Sequence, residues 1–321
     1  MAKRISIINF KGGVGKTALA LHLATGLVRY HDKRVLLIDV DHQSSLSLVC
    51  LPGKEWQKLV DEGKTIDAIF EHFTKSNVPL PNKDIIRKNP YDKNPYQNSY
   101  ERLDLVPATL KLDETEIELS STTVGDSVQS EWNKRTLLCR WLDENMIDRD
   151  YDYIIFDCPP ATKLVTQNAI AASHGYILPV IPDAVSTRGI PHLISRVFSK
   201  IDGEFSGLSQ FLKSKGKPIF KSYVPSTKLI GIVISKIKHK GLASRSRYTT
   251  DHTTHLETLK KLYGKEIVEP YIHEGVGVPE CLAAGYPVYD YSESQNVRSG
   301  NFIKHFKLVV ENLMNRIDNC N

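Results

Sequence analysis

The stretch INFKGGVGKTALALHL (7–22) places two lysines and three glycines directly behind a short apolar run. Glycine allows a tight turn and leaves no side chain in it, so successive N–H groups can point into one concavity. Such a concavity binds phosphate, and a helix that begins there adds the positive end of its dipole. The glycines are Gly12, Gly13 and Gly15, and the lysines are Lys11 and Lys16.

The residues after the glycines fit a nucleotide site. Lys16 supplies a point charge for the β- and γ-phosphates, and the Thr17 hydroxyl is suited to ligate Mg²⁺. The strict pattern G-x-x-x-x-G-K-[ST] needs glycine at position 10, where this chain has Phe10. A glycine-rich turn without nucleotide is the alternative, and the order strand, GKT, helix argues against it.

Three acidic residues end two further apolar runs. LLIDVD carries Asp39 and Asp41, and YIIFD ends at Asp157. In an open parallel sheet, the carboxyl ends of neighbouring strands border one crevice. One carboxylate there can hold Mg²⁺ through its waters, and another can orient an attacking water. Each aspartate alone would also fit a polar strand end or a helix cap.

Short apolar runs alternate with helical patterns along the chain, which indicates a parallel sheet covered on both faces. We therefore predict an α/β fold: a three-layer, doubly wound, mostly parallel sheet with helices on both faces. The predicted strands are Ile5–Asn9, Val35–Asp39, Leu103–Val106, Tyr153–Asp157, Tyr176–Ile181 and Leu229–Ser235. The predicted helices are Lys16–Tyr30, Thr65–Phe73, Trp132–Met146, Leu164–Ala172, Ser186–Ile201 and Thr249–Tyr263.

We expect residues 1–321 to form a single domain, because no polar stretch breaks this alternation. Residues 76–101, rich in Pro, Asn, Lys and Tyr, are expected to form a surface insertion that buries little. Residues 120–130 are expected to form a loop. Residues 301–317 carry six apolar side chains on one helical stripe, which favours a helix packed on the sheet over a helix on a membrane surface.

Charge is unevenly distributed in this chain, whose net charge is +5. Residues 205–250 contain ten basic residues and no acidic one, and a local basic patch is typical of surfaces that bind polyanions. An ordinary solvated surface is the alternative. The candidate DNA-binding residues are Lys213, Lys215, Lys217, Lys236, Lys238, Lys240, Arg245 and Arg247. No zinc-finger or helix-turn-helix pattern accompanies them, so we expect contacts to phosphates and little reading of bases.

Five isolated cysteines, none in a CxxC pair, indicate reduced thiols in a cytoplasm. The amino-terminal residues have no signal-peptide pattern, and no apolar run is as long as a membrane span. Cys158 follows Asp157 and is interpreted as a small apolar residue beside the site, not as a cluster ligand. The pair of histidines in HTTH (252–255) is a weak metal signal, and structural or solvent-facing roles are favoured.

KGGVGKT (11–17), LLIDVDHQS (36–44) and IIFDCPP (154–160) together resemble the ParA/MinD family of P-loop ATPases, which have a deviant Walker A motif. LDLVPATLKLDETEIEL (103–119) and EPYIHEGVGVPECLAAGYPVYDY (269–291) extend the resemblance over nearly the whole chain outside 76–101. The sequence is most similar to the ParA/Soj branch, whose members partition DNA or other cargo on the nucleoid.

The resemblance implies a role for each motif residue. Lys11 corresponds to the family's signature lysine, which reaches the phosphates of a partner chain in a nucleotide-sandwich dimer. Asp39 and Asp157 match the acids near Mg²⁺, together with Thr17, and Asp41 matches the residue that positions the hydrolytic water. The catalytic set is thus Lys11, Lys16 and Asp41. The phosphate-binding set is Lys11, Gly12, Gly13, Val14, Gly15, Lys16, Thr17 and Ala18.

The chain departs from the family pattern at two positions. The family has Pro after the second aspartate and Thr after the GKT threonine, and this chain has His42 and Ala18. His42 changes the turn after Asp41, which bears on the hydrolysis rate, whereas Ala18 keeps its N–H for the phosphate. Contacts to the nucleotide base are expected from the loops after Ser235 and Pro270, at Ser235, Lys236, Pro270 and Tyr271.

The resemblance implies a ParA-type ATPase that uses ATP and Mg²⁺ and forms an ATP-dependent homodimer. The dimer would bind DNA nonspecifically in the cytoplasm, associated with the nucleoid, and a ParB-like or other cargo adaptor would stimulate hydrolysis and release. Two alternatives stay open. One is a MinD-like ATPase that binds a membrane through its terminal helix. The other is a P-loop metabolic enzyme in which Lys11 serves a substrate.

Overall fold

One sheet of eight strands organises the molecule. The computed structural model describes residues 1–92, 100–238, 248–290 and 301–320, and within them the strand order is β3-β4-β2-β5-β1-β6-β7-β8. Every neighbouring pair is parallel except β3 with β4. The strands are β1 Lys3–Ile7, β2 Val35–Asp39, β3 Arg87–Lys88, β4 Leu103–Val106, β5 Tyr153–Asp157, β6 Gly175–Val180, β7 Lys228–Ile234 and β8 Ile267–Val268.

Helices cover both faces of this sheet. The helices are α1 Lys16–His31, α2 Ser45–Cys50, α3 Gly53–Asp61, α4 Asp67–Thr74, α5 Leu112–Ser121, α6 Ser127–Arg135, α7 Leu137–Glu144, α8 Leu164–Ala172, α9 Ala184–His192, α10 Ser199–Ser214, α11 Thr250–Tyr263, α12 Gly277–Ala284 and α13 Phe302–Asp318. Alternate residues of β5 point to opposite faces: Ile154 joins the core under α4 to α11, and Ile155 joins the core under α1 and α13. The predicted three-layer, doubly wound, mostly parallel fold is confirmed.

The predicted helix Trp132–Met146 is wrong as a single element. The chain forms α6 and α7 instead, and Thr136 between them has φ −128°, outside the helical region. The Thr136 hydroxyl donates to the carbonyl of Trp132 at 2.7 Å and so supports the break. Helix α6 begins at Ser127, inside the segment that was expected to be a loop.

The predicted helix Ser186–Ile201 also has a different form. It is a helical run from Ala184 to Ser214 in which a π-helical segment, Leu193–Phe198, separates α9 from α10. Pro191 lies inside α9 and has no N–H to donate to the preceding turn. A proline is a common cause of such irregularity, because the hydrogen-bond ladder must shift around it.

The expectation that residues 76–101 bury little is wrong for the part that the structure describes. Ile85, Ile86, Tyr91 and Tyr100 are all buried. The segment adds a 3₁₀ turn, Lys83–Ile85, and the antiparallel edge strand β3. Its isoleucines and tyrosines provide the apolar area, and the polar residues between them stay at the surface.

Helix α13 closes one face of the sheet. Its six apolar stripe residues are 0–2% exposed, because they pack under the sheet beside α1. The Arg316 guanidinium donates to the carbonyls of Glu266 and Ile267 at 2.9 Å each, which ties the helix to β8. Across the described ranges, no helix combines the length and apolarity that crossing a membrane requires.

Candidate functional site

A cavity of about 590 Å³ lies at the carboxyl ends of the central strands. The glycine-rich loop between β1 and α1 lines part of it, and apolar side chains line another part. The loop residues that line it are Gly12, Gly13, Gly15, Lys16, Thr17 and Ala18. The apolar lining includes Val49, Val278, Leu282 and Phe306. A cavity with a phosphate-binding loop at one end and apolar walls at the other has the polarity of a nucleotide.

The loop's conformation depends on two of its glycines. Gly13 has φ +71° and Gly15 has φ +89°, a left-handed region in which other residues are strained. Gly15 is also the N-cap of α1, so the first N–H groups of that helix point toward the loop. A Cβ on either glycine would meet no atom within 4 Å, because both face open space. The site is therefore an anion cradle of backbone N–H groups.

The end of β7 supports this loop from the side. The Ser235 hydroxyl donates to the Val14 carbonyl at 2.7 Å, and the Lys236 ammonium donates to the Gly13 carbonyl at 2.6 Å. Lys236 itself has φ +51°, which turns the chain toward the loop. These two residues, expected at the base, thus contact the back of the phosphate loop and line the cavity.

The other residues expected at the base lie outside the cavity lining. Pro270 and Tyr271 do not line it, and the Tyr271 hydroxyl donates to Glu269 at 2.7 Å. The next residues along the chain, 272–275, line the cavity. The loop after Pro270 thus reaches the cavity at residues 272–275, two positions beyond the predicted ones.

Lys16 is buried at the base of the loop. Burial lowers the pKa of its ammonium, and the carboxylates of Asp157 and then Asp41 act against that shift. The ammonium lies 3.5 Å from the Lys11 carbonyl. A cation held in this way, with two acids nearby and a backbone cradle in front, is placed to meet the phosphates of its own chain's nucleotide.

Asp39 is fully buried at the end of β2 and is held by protein donors. One carboxylate oxygen accepts the Asp41 N–H at 3.1 Å, and the other accepts the N–H and hydroxyl of Ser47 at 2.9 and 2.7 Å. Burial raises the pKa of Asp39 to about 7, although these donors favour the carboxylate. Asp39 therefore orders the loop after β2 and also adds negative charge to the site.

Asp157 lies beside Asp39 in register on the adjacent strand β5. Both of its carboxylate oxygens are buried, and neither has a hydrogen-bond partner in the described part of the chain. Burial, and then the Asp39 carboxylate, raise the pKa of Asp157 well above its usual range. The nearby Thr17 hydroxyl acts against this shift. Two orphaned buried oxygens next to a P-loop threonine fit a bound cation.

Asp41 lies at the cavity wall, beyond Asp39. One of its carboxylate oxygens accepts the Gln43 N–H at 3.0 Å and lies 3.6 Å from Nδ1 of His42. Gln43 also lines the cavity. The loop 39–43 therefore presents a carboxylate toward the space next to the phosphate cradle, where it could orient a water.

Lys11 and Lys16 occupy different environments. The Lys11 side chain is 30% exposed at the rim, and its ammonium forms an ion pair with Asp183. Its backbone N–H donates to Oδ1 of Asn9 at 3.0 Å. Asp183 follows β6 and caps α9, since its side chain accepts the Ser186 N–H at 2.8 Å. Thus Lys16 points into its own chain's site, whereas Lys11 is held at the surface beside it.

The five candidate DNA-binding residues within the described part of the chain fall into two groups, one before β7 and one after it. Lys213, Lys215 and Lys217 lie at the end of α10 and after it, near the amino end of β7. Lys236 and Lys238 follow the carboxyl end of the same strand. The remaining three, Lys240, Arg245 and Arg247, lie outside the described residues.

Neither alternative ligand signal forms a metal site. Cys158 is fully buried, and burial raises the pKa of its thiol. Nδ1 of His252 accepts the Lys238 N–H at 3.0 Å, and Nδ1 of His255 lies 3.1 Å from the Thr187 hydroxyl. Within the described ranges, no three residues among His, Cys, Asp and Glu are grouped to hold a metal ion.

Sequence reasoning missed two residues that order the site. Asp183 was not singled out, although it is a third acid that follows a buried strand, the signal that identified Asp39 and Asp157. Ser47 was also missed, and its two bonds to Asp39 depend on how α2 folds back over β2. No local sequence pattern reveals that contact.

A family model described as an AAA domain matches residues 2–205. The sporulation initiation inhibitor protein Soj of Bacillus subtilis is 32% identical over 203 residues, which cover 61% of this chain and 65% of that protein. The ATP complex of a McdA variant from Cyanothece has a TM-score of 0.65 at 17% identity, covering 99% of this chain and 96% of that one. Cobyrinic acid a,c-diamide synthase from Mycobacterium smegmatis, with an ATP analogue and magnesium, has a TM-score of 0.62 at 18% identity, covering 100% and 97%. At these identities, the two solved structures indicate the fold alone.

Proposed function

Because this chain belongs to the ParA/MinD-type P-loop ATPases, we propose that it is a ParA-type partition ATPase. In this proposal, residues 1–321 act as one domain that binds ATP, forms a sandwich dimer on DNA and leaves the DNA after hydrolysis. Soj, the relative reported above, belongs to the same branch that the sequence motifs resemble. The cargo is a plasmid, a chromosome or another assembly that the dimer segregates or positions.

The nucleotide site in this proposal is the cavity above the glycine-rich loop. The loop N–H groups and Lys16 hold the phosphates, and the walls formed by Ser235, Lys236 and residues 272–275 border the base. Thr17 and Asp157 would hold Mg²⁺, because Asp157 offers two unpartnered oxygens, and Asp39 would act on its waters. When bound, Mg²⁺ neutralises charge on the phosphates during transfer to water. Asp41 orients the water, since it is at the wall beside the cradle.

The observation that carries the proposal is the separation of the two lysines. Lys16 already provides the charge that a P-loop requires, and Lys11 lies at the rim, where a second chain can be reached. A lysine that contacts only the nucleotide of its own chain would not need to lie at the rim of the site. We infer that Lys11 contacts the nucleotide bound by a partner chain, so that ATP joins the two protomers.

Nonspecific DNA binding, association with the nucleoid and stimulation by a ParB-like adaptor complete the proposal. The exposed lysines of residues 205–250 support DNA binding, because phosphate contacts need charge and no base reading. Intrinsic hydrolysis is expected to be slow, since the adaptor controls the rate. A membrane role is not favoured, because the apolar stripe of α13 is packed against the sheet.

The decisive experiment is to size the protein with and without ATP, Mg²⁺ and DNA, by analytical ultracentrifugation. We expect a monomer without ATP and a dimer with ATP and Mg²⁺. The variant Lys11→Ala should bind nucleotide as a monomer and form no dimer, whereas the exposed control Lys54→Ala should behave as the parent chain. A Lys11→Ala dimer that persists with ATP would overturn the sandwich proposal. Turnover that requires a small co-substrate would instead support a metabolic enzyme.

A further inference from the structure

Two neighbouring side chains at the end of β7 hold two consecutive carbonyls of the phosphate loop. The Lys236 ammonium donates to the Gly13 carbonyl at 2.6 Å, and the Ser235 hydroxyl donates to the Val14 carbonyl at 2.7 Å. Ser235 is buried, whereas Lys236 is exposed. We call Ser235 and Lys236 the carbonyl clamp. The clamp acts on the backbone of the loop, because it contacts no loop side chain through these bonds.

A carbonyl that is held in place fixes the N–H of the following residue. A trans peptide unit is planar, and its C=O and N–H point in opposite directions. The bond from Lys236 therefore turns the Val14 N–H away from β7, and the bond from Ser235 turns the Gly15 N–H away from it. Neither N–H has an acceptor among the residues that the structure describes. Consecutive N–H groups without acceptors form a concavity that binds anions.

The ammonium of Lys236 also strengthens one of these donors. A cation bound to a carbonyl oxygen polarises the peptide unit, so the N–H of that unit becomes a better donor. This role differs from those of the other two lysines at the loop. Lys16 is buried at the base of the site, and Lys11 forms an ion pair at the rim. Lys236 instead acts on the N–H of Val14 through the backbone.

The backbone of the clamp is fixed independently of the phosphate loop. Lys236 has φ +51°, a left-handed conformation that is strained in a residue with a side chain. Such strain persists where the surrounding structure holds the chain on both sides. The Ser235 N–H donates to the Val180 carbonyl at 2.8 Å, and the Ile237 N–H donates to the Ile272 carbonyl at 3.1 Å. The clamp is therefore aimed by β6 and by the segment after β8.

We propose that Ser235 and Lys236 are positioning residues, which hold the phosphate loop in its anion-binding form before a ligand arrives. This inference rests on the proposed function for the identity of the ligand, a nucleotide, and is independent of the dimer and of DNA. Without the clamp, the ligand itself would have to order the loop N–H groups. That ordering lowers affinity, because the ligand's binding energy must then offset lost loop entropy.

The test compares two ligands that share a diphosphate and differ in the base. ADP and pyrophosphate, each with Mg²⁺, are titrated by isothermal calorimetry. Lys236→Asn removes the ammonium, and asparagine tolerates the left-handed backbone. We expect the affinity for both ligands to fall by about tenfold and by the same factor, since the lost bond acts on the loop. Ser235→Ala should weaken both ligands together as well.

Two further variants serve as controls for charge. Lys236→Arg keeps a cationic donor and should restore most of the affinity. Lys265→Asn removes the same charge from an exposed lysine before β8 and should leave both affinities unchanged. Thermal melting verifies that each variant folds. Lys236→Gly, which relieves the left-handed backbone, gives the same comparison if Lys236→Asn does not fold.

A second measurement uses the ligand-free protein and separates positioning from direct contact with phosphate. The amide resonance of Val14 is followed by NMR in protein that contains isotope-labelled valine. It should shift in Lys236→Asn and stay near its parent position in Lys265→Asn, because the first substitution alone removes the bond to the Gly13 carbonyl. An unchanged Val14 resonance would overturn the positioning role, even where the affinity falls.

The remaining outcomes also decide the inference. A loss of affinity for ADP alone would assign the clamp to the base and overturn its role at the loop. Equal affinities of the parent chain and Lys236→Asn for both ligands would overturn it as well. Absence of ADP and ATP binding by the parent chain would instead contradict the proposed function itself.

Discussion

The ammonium of Lys11 forms an ion pair with the carboxylate of Asp183, the residue that caps helix α9. If Lys11 must reach a second chain, this ion pair has to break first. Both side chains are about a quarter to a third exposed, so the pair contributes little to folding and much to the position of Lys11. In the proposed dimer, Asp183 would therefore act as a restraint on assembly.

We predict that Asp183→Ser strengthens the ATP-dependent dimer. Serine is also a good N-cap, so the substitution removes the charge and keeps the start of α9. An ion pair between partly exposed groups is worth about 0.5–1 kcal/mol, and two such pairs would break in a symmetric dimer, so the dimerisation midpoint should fall by roughly five- to thirtyfold. Sedimentation in the presence of ATP and Mg²⁺ measures this midpoint. Asp126→Ser is the matched control, because Asp126 caps α6 through the Gln129 N–H and has no ion pair within the described residues. An unchanged dimerisation midpoint for Asp183→Ser would show that the ion pair does not restrain dimer formation.

Asp157→Asn should stabilise the ligand-free protein and abolish its response to Mg²⁺ and ATP. A buried carboxylate without partners costs about 1–3 kcal/mol, which the neutral amide reduces. We expect Tm to rise by roughly 2 °C or more without ligand. The further rise that Mg²⁺ and ATP cause in the parent chain should disappear.

Asp104→Asn provides the contrast for this prediction. The Asp104 carboxylate accepts from the Lys88 ammonium at 2.7 Å and the Tyr151 hydroxyl at 2.6 Å, so its loss should lower Tm. Differential scanning calorimetry measures the change in Tm of both variants. A fall in Tm for Asp157→Asn would mean that the carboxylate is satisfied in solution without a cation.

Asp41→Ala should trap the ATP-bound dimer. The carboxylate is the group at the cavity wall that could orient water, and removal of such a group costs about 10²-fold or more in rate. ATP binding should persist, because the phosphates contact the loop and Lys16. Single-turnover hydrolysis and sedimentation on the same sample test both statements, with the surface variant Asp61→Ala as the control. Turnover at the parent rate would exclude Asp41 from the chemistry.

Stability should fall as the pH falls from about 6.5 to about 4, partly through His22. Burial lowers the pKa of His22 to about 4, and the neutral ring bonds the Ala18 carbonyl at 2.6 Å and the Val288 N–H at 3.0 Å. Between the folded and unfolded pKa values, the unfolded chain binds a proton that the folded chain does not, so acid favours unfolding. The His22 contribution amounts to roughly 3 kcal/mol over this range.

Urea denaturation from pH 4 to 8 measures this dependence. In His22→Gln the loss of unfolding free energy between pH 6.5 and pH 4 should be smaller by that amount, although the variant is less stable at pH 8. His192→Gln, at an exposed position of α9, should leave the slope unchanged. An identical pH dependence in His22→Gln would assign the acid sensitivity to other groups, such as the partly buried His174, whose pKa burial also lowers to about 4.

Three strands could be predicted from sequence to the residue, whereas β1 and β6 begin earlier than predicted. Val35–Asp39, Leu103–Val106 and Tyr153–Asp157 have the same bounds in the structure, because continuous apolar runs end sharply at polar residues. The short edge strand Ile267–Val268 was missed, since two residues carry no periodicity. The type of an element could thus be predicted where its residues are fully buried, and it could not be predicted at the edges of the sheet.

The phosphate loop could be predicted for a related reason, because its functional residues are adjacent in the sequence. The glycines, Lys16 and Thr17 act within six residues, so spacing alone reveals them. The partners of Lys11 and Asp39 are not contiguous. Asp183 lies 172 positions beyond Lys11, and the pair exists only because β6 is next to β1. Tertiary neighbours of this kind require the fold.

The division of the lysines by β7 has a consequence for the distribution of charge. Lys213, Lys215 and Lys217 precede the strand, whereas Lys236 and Lys238 follow it. A substitution in either group therefore changes the charge at one edge of the sheet and leaves the charge at the other edge as it is.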